Sequence, residues 1–197
     1  VFQSEISVTG CGRTDTGVHA KEFFAHFDVK NTIQDLGLLL HKLNTMLSTS
    51  IAIQEIIPAT NEAHARFDAT KRSYEYRITR AKNPFEHKTA YRFNIPLNLE
   101  LMNKAGKLML GKKDFGCFCK ANTDNFTNIC TVYEASWKQE NDLIVFKITA
   151  NRFLRNMVRA VVGTMLEIGE EKMELEGFQQ VLDSKDRTAA GRSVPAC

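Results

Sequence analysis

The chain has 197 residues, of which 43% are hydrophobic and 25% are charged, and its net charge is +3. This length and composition fit one large or two small globular domains with a real core. Because the net charge is small, affinity for an acidic partner must come from local clusters of cations. Apolar runs such as LGLLL and AVVGTML are too short for a membrane span, and the five cysteines form no disulfide framework. We therefore expect a cytoplasmic protein that does not associate with membranes.

Strand and helix patterns alternate in the first part of the chain. Alternating apolar residues predict a strand in EISVTG and a second strand over 23–29, with a glycine-rich turn between them. Apolar residues at helical spacing predict a helix over 33–47, and IAIQEII predicts a strand over 51–57 before Pro58. In KRSYEYRITR, the alternation predicts a strand with Tyr74, Tyr76 and Ile78 on one face.

The second part of the chain has the same mixed character. A helix is predicted over 99–110, strands over 131–137 and 143–150 with a turn at QEND, and a short helix over 175–182. Between them we predict a strong helix with an apolar stripe through Leu154, Met157, Val158, Val161 and Met165, and with Arg152, Arg155 and Arg159 on the opposite side. The mixture predicts an α+β fold in which two similar halves, residues 1–84 and 85–197, share a sheet.

The segment GCGRTDTGVHA, residues 10–20, is the strongest candidate for chemistry. It lacks the Lys-Ser/Thr ending of a phosphate-binding P-loop and the third glycine of a dinucleotide fingerprint. The spacing of Cys11, His19 and His26 matches no zinc signature, and Cys117, Cys119 and Cys130 lack a fourth partner. A cysteine hydrolase with Cys11 as nucleophile and His19 as base is disfavoured, because a buried cysteine at a strand end is usually only a small hydrophobic residue. A structural turn in which Asp15 bonds its own backbone stays open.

Four ordered segments resemble a known family. GRTDTGVHA is similar to the GRTDAGVHA motif of the TruA family of tRNA pseudouridine synthases, with Thr16 in place of alanine. HARFDATKRSYEYRI, ITANRFLRNMVRAVVGTMLEIG and KDRTAAGRSVPAC resemble the family's later segments in the same order. The resemblance covers essentially the whole chain. It implies the pseudouridine synthase fold, with two similar α/β halves, a mixed and mainly antiparallel shared sheet, and a central catalytic cleft.

The family normally has a further strand and a YxGWQ-like segment before this region, and a strand after it. The resemblance therefore implies a longer protein, incomplete here at both ends.

The resemblance also implies roles for individual residues. Asp15 is expected to be the catalytic aspartate, and Arg159 the cation that keeps its carboxylate ionised. Arg13 resembles the arginine that helps to extrude the target base, and Tyr74 the tyrosine that stacks on the flipped uracil. Attack on uracil C6, attack on ribose C1′ and a glycal route are all compatible with a carboxylate.

The implied substrate is uridine at positions thirty-eight to forty in the anticodon arm of tRNA, bound by a homodimer without metal or cofactor. Gripping the RNA backbone needs cations, and the candidates are Lys21, Arg66, Lys71, Arg72 and Arg155. The alternative is a binding protein and not an enzyme: a catalytically silent RNA-binding module that retains the fold but not the chemistry.

Overall fold

The computed structural model describes residues 2, 4–120, 123 and 126–197, and these form two compact units. The smaller unit contains Val1–Arg13 and Ala20–Ala69, and the larger contains Thr14–His19 and Thr70–Cys197. The predicted halves 1–84 and 85–197 divide the chain at a different place and stay a prediction.

The described residues of the smaller unit form a strand pair and one helix. Strands β1 (Val8–Gly10) and β2 (Ala25–Phe27) pair antiparallel, which confirms the predicted strand–turn–strand element. Helix α1 (Leu36–Met46) begins where the Asp35 side chain accepts a hydrogen bond from the Leu38 amide at 2.7 Å.

The strand predicted over 51–57 is wrong. That segment carries no strand pairing, and the Asn44 side chain of α1 bonds its backbone where a neighbouring strand would. The Asn44 amide donates to the Ile53 carbonyl and accepts from the Ile53 amide, both at 2.8 Å. These bonds satisfy one residue of the segment without a ladder.

The larger unit is built on a five-stranded sheet in the order β4-β3-β7-β6-β5. Its strands are β3 (Arg72–Thr79), β4 (Tyr91–Arg92), β5 (Gly111–Asp114), β6 (Ile129–Glu140) and β7 (Leu143–Ala150). Only the β3–β4 pair is parallel, so the sheet is mixed and mainly antiparallel, as expected. Strand β3 pairs antiparallel with β7 over the whole length of both strands.

Three α-helices of the larger unit pack around this sheet within its described residues: α2 (Leu99–Leu108), α3 (Met157–Gly169) and α4 (Leu175–Ser184). Helix α2 packs on β6 and on α3, and the Asn103 side chain bonds both backbone groups of Trp137. The buried core includes Phe115, Phe118, Phe146, Phe178 and Met165.

Most predicted elements of this unit are confirmed, and strands β4 and β5 were not anticipated. The predicted arginine stripe on one long helix is wrong for Arg152 and Arg155, because α3 begins only at Met157. Asn156 has φ 69°, a left-handed conformation that ends the preceding loop and starts the helix.

No helix in the described part of the chain has both the length and the apolar character needed to cross a bilayer.

Candidate active site

Asp15 lies in the turn Thr14–His19, which belongs to the larger unit. The backbone closes this turn, since the Val18 amide donates to the Asp15 carbonyl at 3.1 Å. Gly17 has φ +95°, and a Cβ at this position would lie 3.0 Å from the Ala196 carbonyl oxygen. The turn therefore needs glycine at Gly17, while the Asp15 carboxylate bonds elsewhere.

That carboxylate is paired with Arg159, which lies in the first turn of α3. Arg159 Nη1 donates to Asp15 Oδ2 at 2.8 Å, and Arg159 Nε donates to the Val194 carbonyl at 2.7 Å. The two side chains are 32% and 41% exposed, for Arg159 and Asp15 respectively. Two bonds in different directions fix the plane of the guanidinium, so the carboxylate meets a cation of defined orientation.

The segment that contains Val194 is itself held by several contacts. Tyr76 donates its hydroxyl proton to the Pro195 carbonyl at 2.8 Å, and burial raises the pKa of Tyr76 far above its ordinary value. The hydroxyl therefore stays a donor at any physiological pH. On α3, a Cβ at Gly163 would overlap the Arg192 carbonyl oxygen, so this helix and the segment approach at backbone distance.

An open pocket of about 570 Å³ surrounds the ion pair; we name it the Asp15 pocket, and it is lined by Asp15, Thr16, Lys120, Arg155, Asn156, Arg159, Arg187 and Ser193. These lining residues include one carboxylate and four cationic side chains. Arg155 is exposed, and its carbonyl accepts from the Lys120 amide at 3.0 Å, which brings these two cations to neighbouring positions. A polyanionic substrate would meet a single carboxylate inside a positive rim.

Two predicted residues on β3 lie outside the set that lines this pocket. Tyr74 is half-buried and packs edge-on against Phe153, with ring centroids 5.1 Å apart. Arg72 Nη1 donates to the Asn151 carbonyl at 3.0 Å, which gives it a structural contact. Stacking by Tyr74 and RNA binding by Arg72 stay predictions.

Arg13, Lys21 and Arg66 belong to the smaller unit and are exposed. Their predicted roles in extruding the base and gripping RNA stay predictions. The Cys11/His19 hydrolase stays disfavoured, and Cys11 and His19 belong to different units. His26 is structural, because its Nδ1 accepts from the Ala65 amide at 3.1 Å and its ring contacts His64.

Five pocket residues were missed as site candidates: Thr16, Lys120, Arg187, Asn156 and Ser193. The available signal was the resemblance, whose segments contain four of these residues: Thr16 in GRTDTGVHA, Asn156 in ITANRFLRNMVRAVVGTMLEIG, and Arg187 and Ser193 in KDRTAAGRSVPAC. Lys120 has no periodic or motif signal. Among the residues with described positions, no three His, Cys, Asp or Glu side chains cluster in a way that could hold a metal ion.

Comparisons with known proteins point to the same family that the four sequence segments resemble. The family model for tRNA pseudouridine synthases matches residues 105–197. The chain is 48% identical over 195 residues to tRNA pseudouridine synthase A of Parabacteroides distasonis, covering 99% of this chain and 77% of the relative. Proteins of the same name from Bacteroides fragilis and Bacillus subtilis are 43% and 37% identical, each over 98% of this chain and over 77% and 78% of their own lengths.

Proposed function

The chain belongs to the family of tRNA pseudouridine synthases, and on that premise we propose that it isomerises uridine in the anticodon arm of tRNA with Asp15 as catalytic carboxylate. The observation that supports this assignment most strongly is the 2.8 Å pair of Asp15 with Arg159 inside a pocket rimmed by cations. Positions thirty-eight to forty are the proposed targets.

The reaction breaks the N1–C1′ glycosidic bond, turns the uracil and joins C5 to C1′. The C5 proton leaves and N1 gains a proton, so the product is an isomer of the substrate. Charge develops on the ribose or on the base along every route considered, and a fixed carboxylate is the group suited to stabilise or attack it. This chemistry consumes no redox equivalent, and we propose that it runs without metal or cofactor.

Arg159 supports this role of Asp15 through position and charge. A carboxylate facing an RNA backbone would be repelled by phosphates, and the paired guanidinium offsets that repulsion. Because Arg159 is tethered to Val194 through Nε, the pair keeps its geometry when the flipped nucleotide enters.

Two further cations of the pocket, Lys120 and Arg155, are proposed to bind phosphate. Lys120 and Arg155 are exposed and adjacent through the Lys120 amide, so their charges can meet the backbone of the extruded nucleotide. Contacts of this kind give affinity without reading sequence. We further propose that the protein acts in the cytoplasm as a homodimer, with Arg13, Tyr74, Lys21, Arg66 and Arg72 contributing to the RNA complex.

The test is conversion of an unmodified tRNA transcript, read position by position with carbodiimide labelling and primer extension, in buffer containing EDTA. We expect stops at one or more of positions thirty-eight to forty that appear with time. Binding of tRNA without any new stop would favour the silent RNA-binding module instead. Activity lost with EDTA and restored by zinc would contradict the metal-free reaction.

A further inference from the structure

Arg159 and Val194 are joined in both directions. Arg159 Nε donates to the Val194 carbonyl at 2.7 Å, and the Val194 amide donates to the Arg159 carbonyl at 3.2 Å. The direction in which the guanidinium reaches Asp15 therefore depends on where Val194 lies. Whatever fixes the segment 190–194 also fixes the ion pair.

Arg187 makes three contacts with that segment. Its Nη1 donates to the carbonyls of Ala190 and Gly191 at 3.2 and 3.1 Å, and its Nη2 donates to Ser193 Oγ at 3.0 Å. One planar guanidinium thus ties three residues of the segment together, which an ammonium group on a flexible stem cannot reproduce. Arg187 also lines the Asp15 pocket, and both of its terminal nitrogens are engaged by these oxygens of the segment.

Ser193 connects these Arg187 contacts to the start of α3. Its Oγ accepts from Arg187 and also from Asn156 Nδ2, at 2.5 Å. Asn156 is the left-handed residue directly before α3, and Arg159 follows three positions later. The segment is thereby fixed at Ser193 from two sides and at Gly191 by a bond from its amide to Thr164 Oγ1.

We propose that Arg187 is a positioning residue of the reaction. It holds residues 190–194 in the place where Val194 can orient Arg159, and so it acts on Asp15 through Arg159 without touching the substrate. This inference rests on the proposed function for its kinetic consequences, while its structural consequence can be measured on the free protein.

The kinetic arm compares Arg187→Ala, Arg187→Lys and the control Arg192→Ala. Arg192 is an exposed arginine of the same segment, so its removal causes the same change of charge. We expect Arg187→Ala to lower the single-turnover rate by about tenfold to a hundredfold, because small misplacements of a reacting group have effects of this size. Arg187→Lys should fail to restore the rate, and Arg192→Ala should leave the rate of the unaltered chain unchanged. The tRNA dissociation constant should change less than about twofold in all three variants.

A double variant separates positioning from direct contact. In the Arg159→Ala background, adding Arg187→Ala should change the rate by less than about twofold, because the residue through which it acts is already gone. Multiplicative losses would overturn the proposal and place Arg187 against the substrate. An unchanged rate with weakened tRNA binding would overturn it as well, since Arg187 would then be a phosphate contact.

The structural arm follows the Arg159 Nε proton by NMR in the absence of RNA. Its bond to Val194 should make this proton exchange slowly with water in the unaltered chain, and Arg187→Ala should accelerate the exchange at least about tenfold. Ser193→Ala removes the bonds that Ser193 Oγ accepts from Arg187 and Asn156 and keeps the two Arg187 bonds to the Ala190 and Gly191 carbonyls. It should accelerate the exchange less and serves if Arg187→Ala does not fold. Unchanged exchange in both variants would overturn the proposal, even if the chain makes pseudouridine. Accelerated exchange would support the proposal, even if the chain makes no pseudouridine.

Discussion

Two open pockets of nearly equal size lie on the larger unit, and they differ in how their charges are held. The Asp15 pocket measures about 570 Å³, and the second, which we name the Asp142 pocket, about 590 Å³. The Asp142 pocket is lined by Thr79, Arg80, Ala81, Lys82, Asn83, Pro84, Phe85, Gln139, Asn141 and Asp142.

In the Asp142 pocket the cations Arg80 and Lys82 are exposed on the loop after β3, and the Phe85 side chain is 93% exposed. In the Asp15 pocket one carboxylate is bonded at 2.8 Å to a cation that a second bond holds in place. Volume therefore does not distinguish the two pockets. Preorganised charge does, and it is the property that catalysis requires.

The largest expected effect comes from removing the carboxylate of each pocket in turn. Asp15→Ala should leave no detectable pseudouridine in a carbodiimide assay, because the proposed reactive group is gone. Asp142→Ala, the matched control, should retain the rate of the unaltered chain. Comparable losses from both substitutions would remove the distinction between the pockets.

A smaller effect is expected from the cations. Arg159→Ala should lower the single-turnover rate by about a hundredfold, while Arg80→Ala should leave it unchanged. The effect on stability should be small, about 1 kcal/mol or less by urea unfolding, because Arg159 and Asp15 are 32% and 41% exposed and water screens the pair. A loss of stability large enough to explain the loss of rate would show that Arg159 is mainly a structural residue.

The phosphate contacts should change affinity and leave the rate nearly intact. Lys120→Ala and Arg155→Ala should each weaken tRNA binding a few-fold and lower the slope of log affinity against log salt by about one. Lys82→Ala in the Asp142 pocket should leave that slope unchanged. The measurement is a filter-binding titration at several salt concentrations, and an equal change in slope for Lys82→Ala would extend the RNA surface to the second pocket.

The smallest expected effect concerns the core behind the Asp15 pocket at alkaline pH. Burial raises the pKa of the Cys117 thiol from 9.0 to about 12, and Arg187 of the pocket wall opposes this shift. The stability that a protonated Cys117 contributes is complete below pH 9, the ordinary pKa of the unfolded chain, and is lost as pH rises towards 12. The difference in unfolding free energy between the unaltered chain and Cys117→Ala should therefore shrink between pH 8 and pH 10.5 in urea titrations. A constant difference would contradict this.

The elements of the larger unit could be predicted because their signals are local. The alternation of Tyr74, Tyr76 and Ile78 predicts β3, and the burial of Tyr76 and Ile78 confirms its inward face. The prediction of a strand over 51–57 in the smaller unit was wrong. The Asn44 side chain bonds the Ile53 backbone there, and no pattern within the segment encodes that partner.

The site depends on contacts between distant parts of the chain, which periodicity cannot supply. Asp15 and Arg159 are 144 residues apart, and only the resemblance to a family joined them. Arg155 and Arg159 were assigned to one helical face, but Asn156 adopts a left-handed conformation between them. Arg187 was overlooked because an arginine that bonds backbone carbonyls looks, in sequence, like any surface cation.

The central claim is that Asp15 supplies chemistry and that its turn and the RNA complex do not depend on its charge. Asp15→Asn tests this most directly, since asparagine keeps the shape of the side chain and is equally suited to a turn. The single-turnover rate and the tRNA dissociation constant should be measured on one preparation. We predict that the rate is lost while the dissociation constant stays within a few-fold of that of the unaltered chain. A rate near that of the unaltered chain would contradict the account and make Asp15 a residue of the turn alone.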